Sequence, residues 1–229
     1  MKNPLRKRFF RELREEIGKY LVVFILMTAT IGFVSGFLVA DGSMLTAYNN
    51  SFQKYNIEDG KFETEEKIYK NQQEDIEKKG VTLYENFYVE KVLLNGTTLR
   101  IFKNRTKVDK VCLMKGKLPE KTGEIAIDRM YADNNKLSVG DSLQSGKRKW
   151  KITGLVALSD YSALFQNNND TMFDAVKFGA AVVTEEEFSS FNQSQLVYNY
   201  AWTYTHKPKT EAQEKKKSED FMEELSKEL

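Results

Sequence analysis

Apolar residues follow three different spacings along this chain. From Tyr20 to Ala40 (YLVVFILMTATIGFVSGFLVA) they run together for twenty-one residues without a charge. A helix of that length rises roughly 31 Å, close to the hydrocarbon thickness of a bilayer. Thr28, Thr30 and Ser35 can return their hydroxyls to the helix backbone, so they do not forbid insertion. On both sides the spacing becomes helical. Leu5, Phe9, Phe10, Leu13 and Ile17, with Arg6, Lys7, Arg11, Arg14 and Glu15 between them, predict an amphipathic helix in the interface, which Gly18 turns into the membrane. Met44, Leu45, Tyr48, Phe52 and Tyr55 predict that the apolar helix continues as a polar-faced stalk to about Asn56.

Beyond Gly60, Thr64 followed by Glu65, Glu66 and Lys67 predicts a second helix that Lys78-Lys79-Gly80 closes. The period then falls to two. Val81–Leu94 reads as one strand, and Asn95-Gly96 turns it into a hairpin with Thr97–Lys103. Gly116 and Leu118-Pro119 predict a turn, and Thr122-Gly123-Glu124 leads into the strand Ile125–Ile127. Asp128 caps a short helix over Arg129–Asn134, and Leu137–Asp141 turns into another strand. Trp150–Leu158 and Ala180–Val183 read as buried strands. Thr184 and Glu187 are spaced as a capping box for Phe188–Phe191. Val197–His206 alternates as a strand, Pro208 breaks it, and Thr210–Leu229 is helical with apolar Phe221, Met222 and Leu225. The fold class expected is α+β: amphipathic and transmembrane helix, helical stalk, then a mixed domain.

Charge gives the topology. Residues 1–19 hold seven Lys/Arg against three Glu, whereas Asp41–Asp59 has only Lys54 as a base. The positive-inside rule puts the N-terminus in the cytoplasm and the rest outside. The division is then 1–19 cytoplasmic amphipathic segment, 20–40 transmembrane helix, 41–60 stalk and 61–229 extracytoplasmic domain at the cell membrane. The apolar run exceeds the roughly 7–15 residues of a signal-peptide core, which favours a retained anchor. Gly32 and Gly36, four apart within it, offer a surface for another membrane helix. A net charge of +2 gives no reason to expect nucleic acid. One cysteine, Cys112, excludes an intrachain disulfide framework, which suits a bacterial surface. Four Asn-x-Ser/Thr sequons are read as chance matches in a chain rich in Asn and Thr.

From Lys115 to Leu158 the order of motifs resembles the extracytoplasmic core domain of FtsX-like/MacB-type ABC transporter permeases. The matching residues are Gly116, Leu118, Pro119, Gly123, Glu124, Ile125, Val139, Gly140, Asp141 and Gly154-Leu155-Val156. The opening LRKRFFRELREEIGKY, the membrane helix and the stalk ending in YNIEDGKF are similar to such permeases from Gram-positive bacteria. The resemblance implies a domain that moves when a separate cytoplasmic ABC ATPase hydrolyses ATP, beside other permease helices or a second permease copy. It implies scaffold roles for the motif residues, no cofactor and no catalysis. Members of the family return to the membrane after this domain, whereas here a charged helix runs to Leu229. The expectation is therefore a fragment, a truncated product or a stand-alone anchored domain. A membrane-tethered binding or sensor domain without an ATPase is the other function expected from these features.

Catalytic patterns are weak. His206, at a strand end, and Cys112, read as a small buried hydrophobe, cannot make a zinc site between them. Ser51-x-x-Lys54 and Lys121-Thr122-Gly123 mimic two penicillin-recognising motifs, but Ser159-Asp160-Tyr161 fails the third. Gly140 to Gly146-Lys147-Arg148 has the wrong spacing for a phosphate-binding loop. Glu185–Glu187, Glu219-Asp220 and Glu223-Glu224 read as solvated helix faces without the spacing of a calcium loop. The connection Ser159–Asp174 is unusually apolar, and its Tyr161, Leu164, Phe165, Met172 and Phe173 either contact a partner or pack under the domain.

Overall fold

The computed structural model describes residues 14–161, 164–166, 172 and 174–228. Most of the expected amphipathic segment 1–19, and Phe173, lie outside the described residues. By internal contacts the chain divides between Ser51 and Phe52.

The first unit is one helix, α1, over Ile17–Tyr55, whose last residues belong to the second unit. It is long and apolar enough to cross a membrane, and none of its residues is buried. Apolar side chains surround it on every face over the uncharged run, the pattern of a helix enclosed by apolar surroundings on all sides. The Thr28 and Thr30 hydroxyls donate to the carbonyls of Phe24 and Leu26, each at 2.8 Å, and so present no unpaired polar group to lipid. Gly18 lies inside the helix and turns nothing; the backbone bends at Glu16 instead.

The second unit is an α+β domain with two sheets. In the smaller one, β1 (Gly60–Thr64), β10 (Tyr198–Tyr204) and β2 (Val81–Glu85) are antiparallel, with β10 central. In the larger one, β3 (Tyr88–Val92), β4 (Thr98–Lys103), β9 (Phe178–Val183), β6 (Glu124–Asp128), β8 (Arg148–Ala157) and β5 (Cys112–Gly116) lie side by side, and β7 (Ser142–Ser145) pairs with β8. The β4–β9 and β6–β8 pairs are parallel and the others antiparallel. Every residue of β9 and β6 is buried, as central strands require. Among the described residues, four α-helices complete the domain: α2 (Lys70–Glu77), α3 (Arg129–Asn134), α4 (Glu185–Ser189) and α5 (Glu211–Glu228). One continuous core joins the sheets through Trp150, Tyr131, Tyr200 and Trp202. Helix α5 closes the small sheet by setting Phe221 against Trp202, ring centroids 4.9 Å apart.

Two expectations fail here. Gly60–Thr64 is a strand, and the helix after it begins only at Lys70. Phe62 turns inward between Lys61 and Glu63 and stacks on Tyr200, a pairing made across more than a hundred residues of sequence. Val81–Leu94 is two strands in different sheets, not one. The backbone N–H of Asn86 donates to the Asn199 carbonyl at 2.9 Å, and Tyr88 then passes to the other sheet. The hairpin itself forms as the Asn95-Gly96 signal predicts, with Gly96 at φ +80° and Val92 opposite Thr98.

Candidate functional site

The sequence-matched run 116–156 wraps one end of the large sheet. Gly116 and Gly154 face each other across β5 and β8. A Cβ on Gly116 would lie 2.3 Å from the Thr153 carbonyl, and one on Gly154 would lie 2.4 Å from the Lys117 carbonyl. The pair thus permits two backbones to approach more closely than side chains allow. Pro119 is buried, and Glu124 reaches back to accept the Glu120 N–H at 2.9 Å. That bond holds the Glu124 carboxyl below its usual range. Asp141 accepts the Ser138 N–H at 2.8 Å, and Gly140 donates to Ile152. Asp128 takes the N–H groups of Met130 and Tyr131, as an N-cap does. These side chains serve turns and caps.

Glu187 departs from its expected place on a solvated face. It is buried, and its carboxylate accepts the Trp150 indole N–H at 2.9 Å, the Gly123 N–H at 2.9 Å and Arg148 Nη1 at 3.0 Å. Thr184 still caps α4 by accepting the Glu187 N–H at 3.2 Å, but the reciprocal half of the capping box is absent. A buried indole needs an acceptor, and that demand outweighs the local cap. Glu187→Ala is expected to destabilise the domain by about 2 kcal/mol because it leaves buried donors unsatisfied. Glu187→Gln keeps one acceptor and should lose less. Urea unfolding of both variants measures this difference.

The connection 159–174 divides the residues singled out in it. Leu164 is buried, and the Tyr161 hydroxyl accepts Arg100 Nη1 at 3.0 Å. Arg100 lies between Tyr88 and Phe178 and also pairs with Glu90 at 2.6 Å. Phe165 is 39 % exposed and Met172 83 %, so part of the connection packs on the core and part faces outward. Asp160 forms a buried bidentate pair with Arg105, at 2.7 and 2.8 Å.

Where α1 ends, Asn56 adopts φ +48°, which stops the helix. The Tyr55 and Asn56 carbonyls accept the N–H groups of Lys110 and Asp109, at 2.8 and 3.0 Å, and Asn56 Nδ2 donates to the Lys107 carbonyl at 2.8 Å. Cys112 is half-buried rather than core, and its Sγ accepts the Tyr55 hydroxyl at 2.9 Å. Its place on an edge strand leaves one side uncovered.

A cleft of about 720 Å³ opens between the end of β2 and the segment after β4, lined among others by Tyr84, Asn86, Lys103, Arg105, Lys107 and Thr184. The Asn86 carboxamide there is buried and has no protein partner. The lining offers hydrogen-bond donors and acceptors but no His, Cys or Ser. Among the described residues, no three His, Cys, Asp or Glu side chains are grouped to hold a metal. His206 is exposed just past β10. Gly32 and Gly36 of α1 have nothing within 4 Å of a would-be Cβ.

No family model matches the sequence, and no curated protein matches it. Among solved structures, the periplasmic region of MacB from Actinobacillus actinomycetemcomitans is similar at 11 % identity and a TM-score of 0.40, over 69 % of this chain and 74 % of that one. The extracellular domain of the noncanonic ABC-type transporter YknZ from Gram-positive bacteria is similar at 11 % identity and a TM-score of 0.38, over 69 % of this chain and 88 % of that one.

Proposed function

We propose that this chain is the N-terminal membrane helix and extracytoplasmic domain of an FtsX-like/MacB-type ABC permease of the Gram-positive type. Its N-terminus lies in the cytoplasm and its domain outside. A separate cytoplasmic ATPase hydrolyses ATP, and the chain passes the resulting motion outward without catalytic chemistry of its own. The observation that supports this reading is the motif order from Gly116 to Val156, whose residues Gly116, Pro119, Gly123, Glu124, Gly140, Asp141 and Gly154 shape one end of the sheet. It follows, in the same chain, an uncharged helix of membrane length. The hydrogen bonds from Tyr55 and Asn56 to residues 107–110 suit a relay, because they tie the end of that helix into the domain. Partner contact is assigned to the exposed part of the 159–174 connection, including Met172.

Two experiments test this. The complete reading frame, expressed with the ATPase encoded beside it, should copurify with that ATPase in detergent. A genuine stop after Leu229 together with no neighbouring ATPase gene would leave the anchored binding or sensor domain. For topology, Lys149→Cys in a Cys112→Ser background should react with a membrane-impermeant maleimide on intact cells, since Lys149 is exposed on β8. Labelling only after lysis would place the domain inside.

A further inference from the structure

Two carboxyl groups meet just after α1. The Glu58 N–H donates to Asp109 Oδ1 at 2.9 Å, and Asp109, wholly buried, is held at φ +45°. Glu58 Oε2 and Asp109 Oδ2 are both buried without a partner, on residues that the Glu58 N–H already ties together. As two carboxylates they would repel in a site shielded from water. With one proton between them, each orphan oxygen gains a partner.

We propose that Glu58 and Asp109 share a proton that fastens the segment Asn56–Asp59 to the loop Lys107–Lys110, and that alkaline conditions release this latch. The charged groups around it support a single shared proton. Arg105 is taken up by Asp160 in a bidentate pair, and Lys61 Nζ stands 3.8 Å from Glu58 Oε1. Lys207 is engaged with Asp59 at 3.2 Å, and the Tyr161 hydroxyl with Arg100. Among the described residues, Lys61 and Arg105 are the cations that act on this cluster, two charges against the three of Glu58, Asp109 and Asp160. Burial first, then repulsion from Asp109 and Asp160, push Glu58 up to about 8, with Lys61 pulling the other way. Burial and Asp160 likewise raise Asp109, against Arg105.

The sign follows from linkage. The closed pair binds a proton more tightly than an ordinary glutamate, so the stabilisation is complete below about pH 4.5 and disappears as pH rises through about 8. At pH 7 the proton favours closure about tenfold, and above about pH 9 it contributes nothing. The device stands whichever ATPase or substrate the chain serves, because it rests on this chain's residues alone.

Hydrogen–deuterium exchange on the full chain in lipid nanodiscs tests it, between about pH 6 and about pH 10, with rates referred to β9 amides to remove base catalysis. Protection at Glu58 and Lys107–Lys110 should fall about a hundredfold across this interval. Glu58→Gln keeps a neutral donor in place and should hold that protection constant. A flat wild-type profile, or the same fall in Glu58→Gln, overturns the proposal. If Glu58→Gln fails to fold, infrared spectra of wild type with 13C-labelled glutamate carboxyls decide. A protonated glutamate band present at pH 7 and lost near pH 8 supports the latch; its absence at pH 7 overturns it.

Discussion

Gly154→Ala is expected to lower the thermal midpoint of the domain by about 6–12 °C, from a loss of about 3 kcal/mol. The added methyl would lie 2.4 Å from the Lys117 carbonyl carbon's oxygen and 3.1 Å from Leu113 Cδ1. The leucine end can swing aside. The carbonyl cannot, because the Lys117 N–H is bonded to Thr153 at 2.9 Å and β5 is paired to β8 on that side. The whole edge strand must therefore shift, and with it the pairing of Gly116. Gly140→Ala separates this steric cost from backbone strain: at φ +103° it is strained, but nothing lies within 4 Å of the new Cβ. It should cost about 1 kcal/mol, the usual scale for a side chain forced into that region. Melting curves by circular dichroism compare the two directly. A Gly154→Ala midpoint equal to wild type would mean that the two strands do not approach as closely as described.

These glycines also show what the sequence makes legible. Turns and caps are written locally, so Asn95-Gly96, Asp128 and the Gly140-Asp141 turn could be placed from neighbouring residues alone, and so could the long uncharged helix. Strand β1 could not. Its five residues, two of them charged, become a strand only through pairing with β10, and the acids that follow at Glu65 and Glu66 mimic a helix start. The break between β2 and β3 is equally hidden, since strand-forming residues continue on both sides of Glu85-Asn86 while Asn199 takes the Asn86 backbone.

The residues of the candidate site divide in the same way. Among the motif residues, Asp141 and Glu124 answer local backbone needs that neighbouring residues show, whereas Gly116 and Gly154 answer the close approach of two strands. Glu187 was misplaced because its spacing from Thr184 matches a capping box; the only counter-signal was Trp150, whose indole would need an acceptor once its strand was buried. Glu58 and Asp109 carry no signal at all. Fifty-one residues separate them, and each looks like an ordinary surface acid until the fold buries one beside the other. The Arg105–Asp160 pair is hidden for the same reason, with fifty-five residues between its partners.

Arg105→Met should cost about 3–5 kcal/mol at neutral pH, the range for removing one partner of a buried ion pair. Methionine fills much of the arginine volume, so the loss is electrostatic more than a cavity. Asp160, whose side chain is 1 % exposed, would keep its charge with neither solvent nor partner, next to the acids Glu58 and Asp109. Urea unfolding at about neutral pH should therefore show the midpoint of the variant well below that of wild type. Arg105→Met with Asp160→Leu removes both charges and should recover most of the loss, since a buried pair contributes little net stability over an apolar replacement. If the single variant is as stable as wild type, Asp160 must reach water. Its bidentate contact would then be a surface pair, and the acid environment of Glu58 would have to be reconsidered with it.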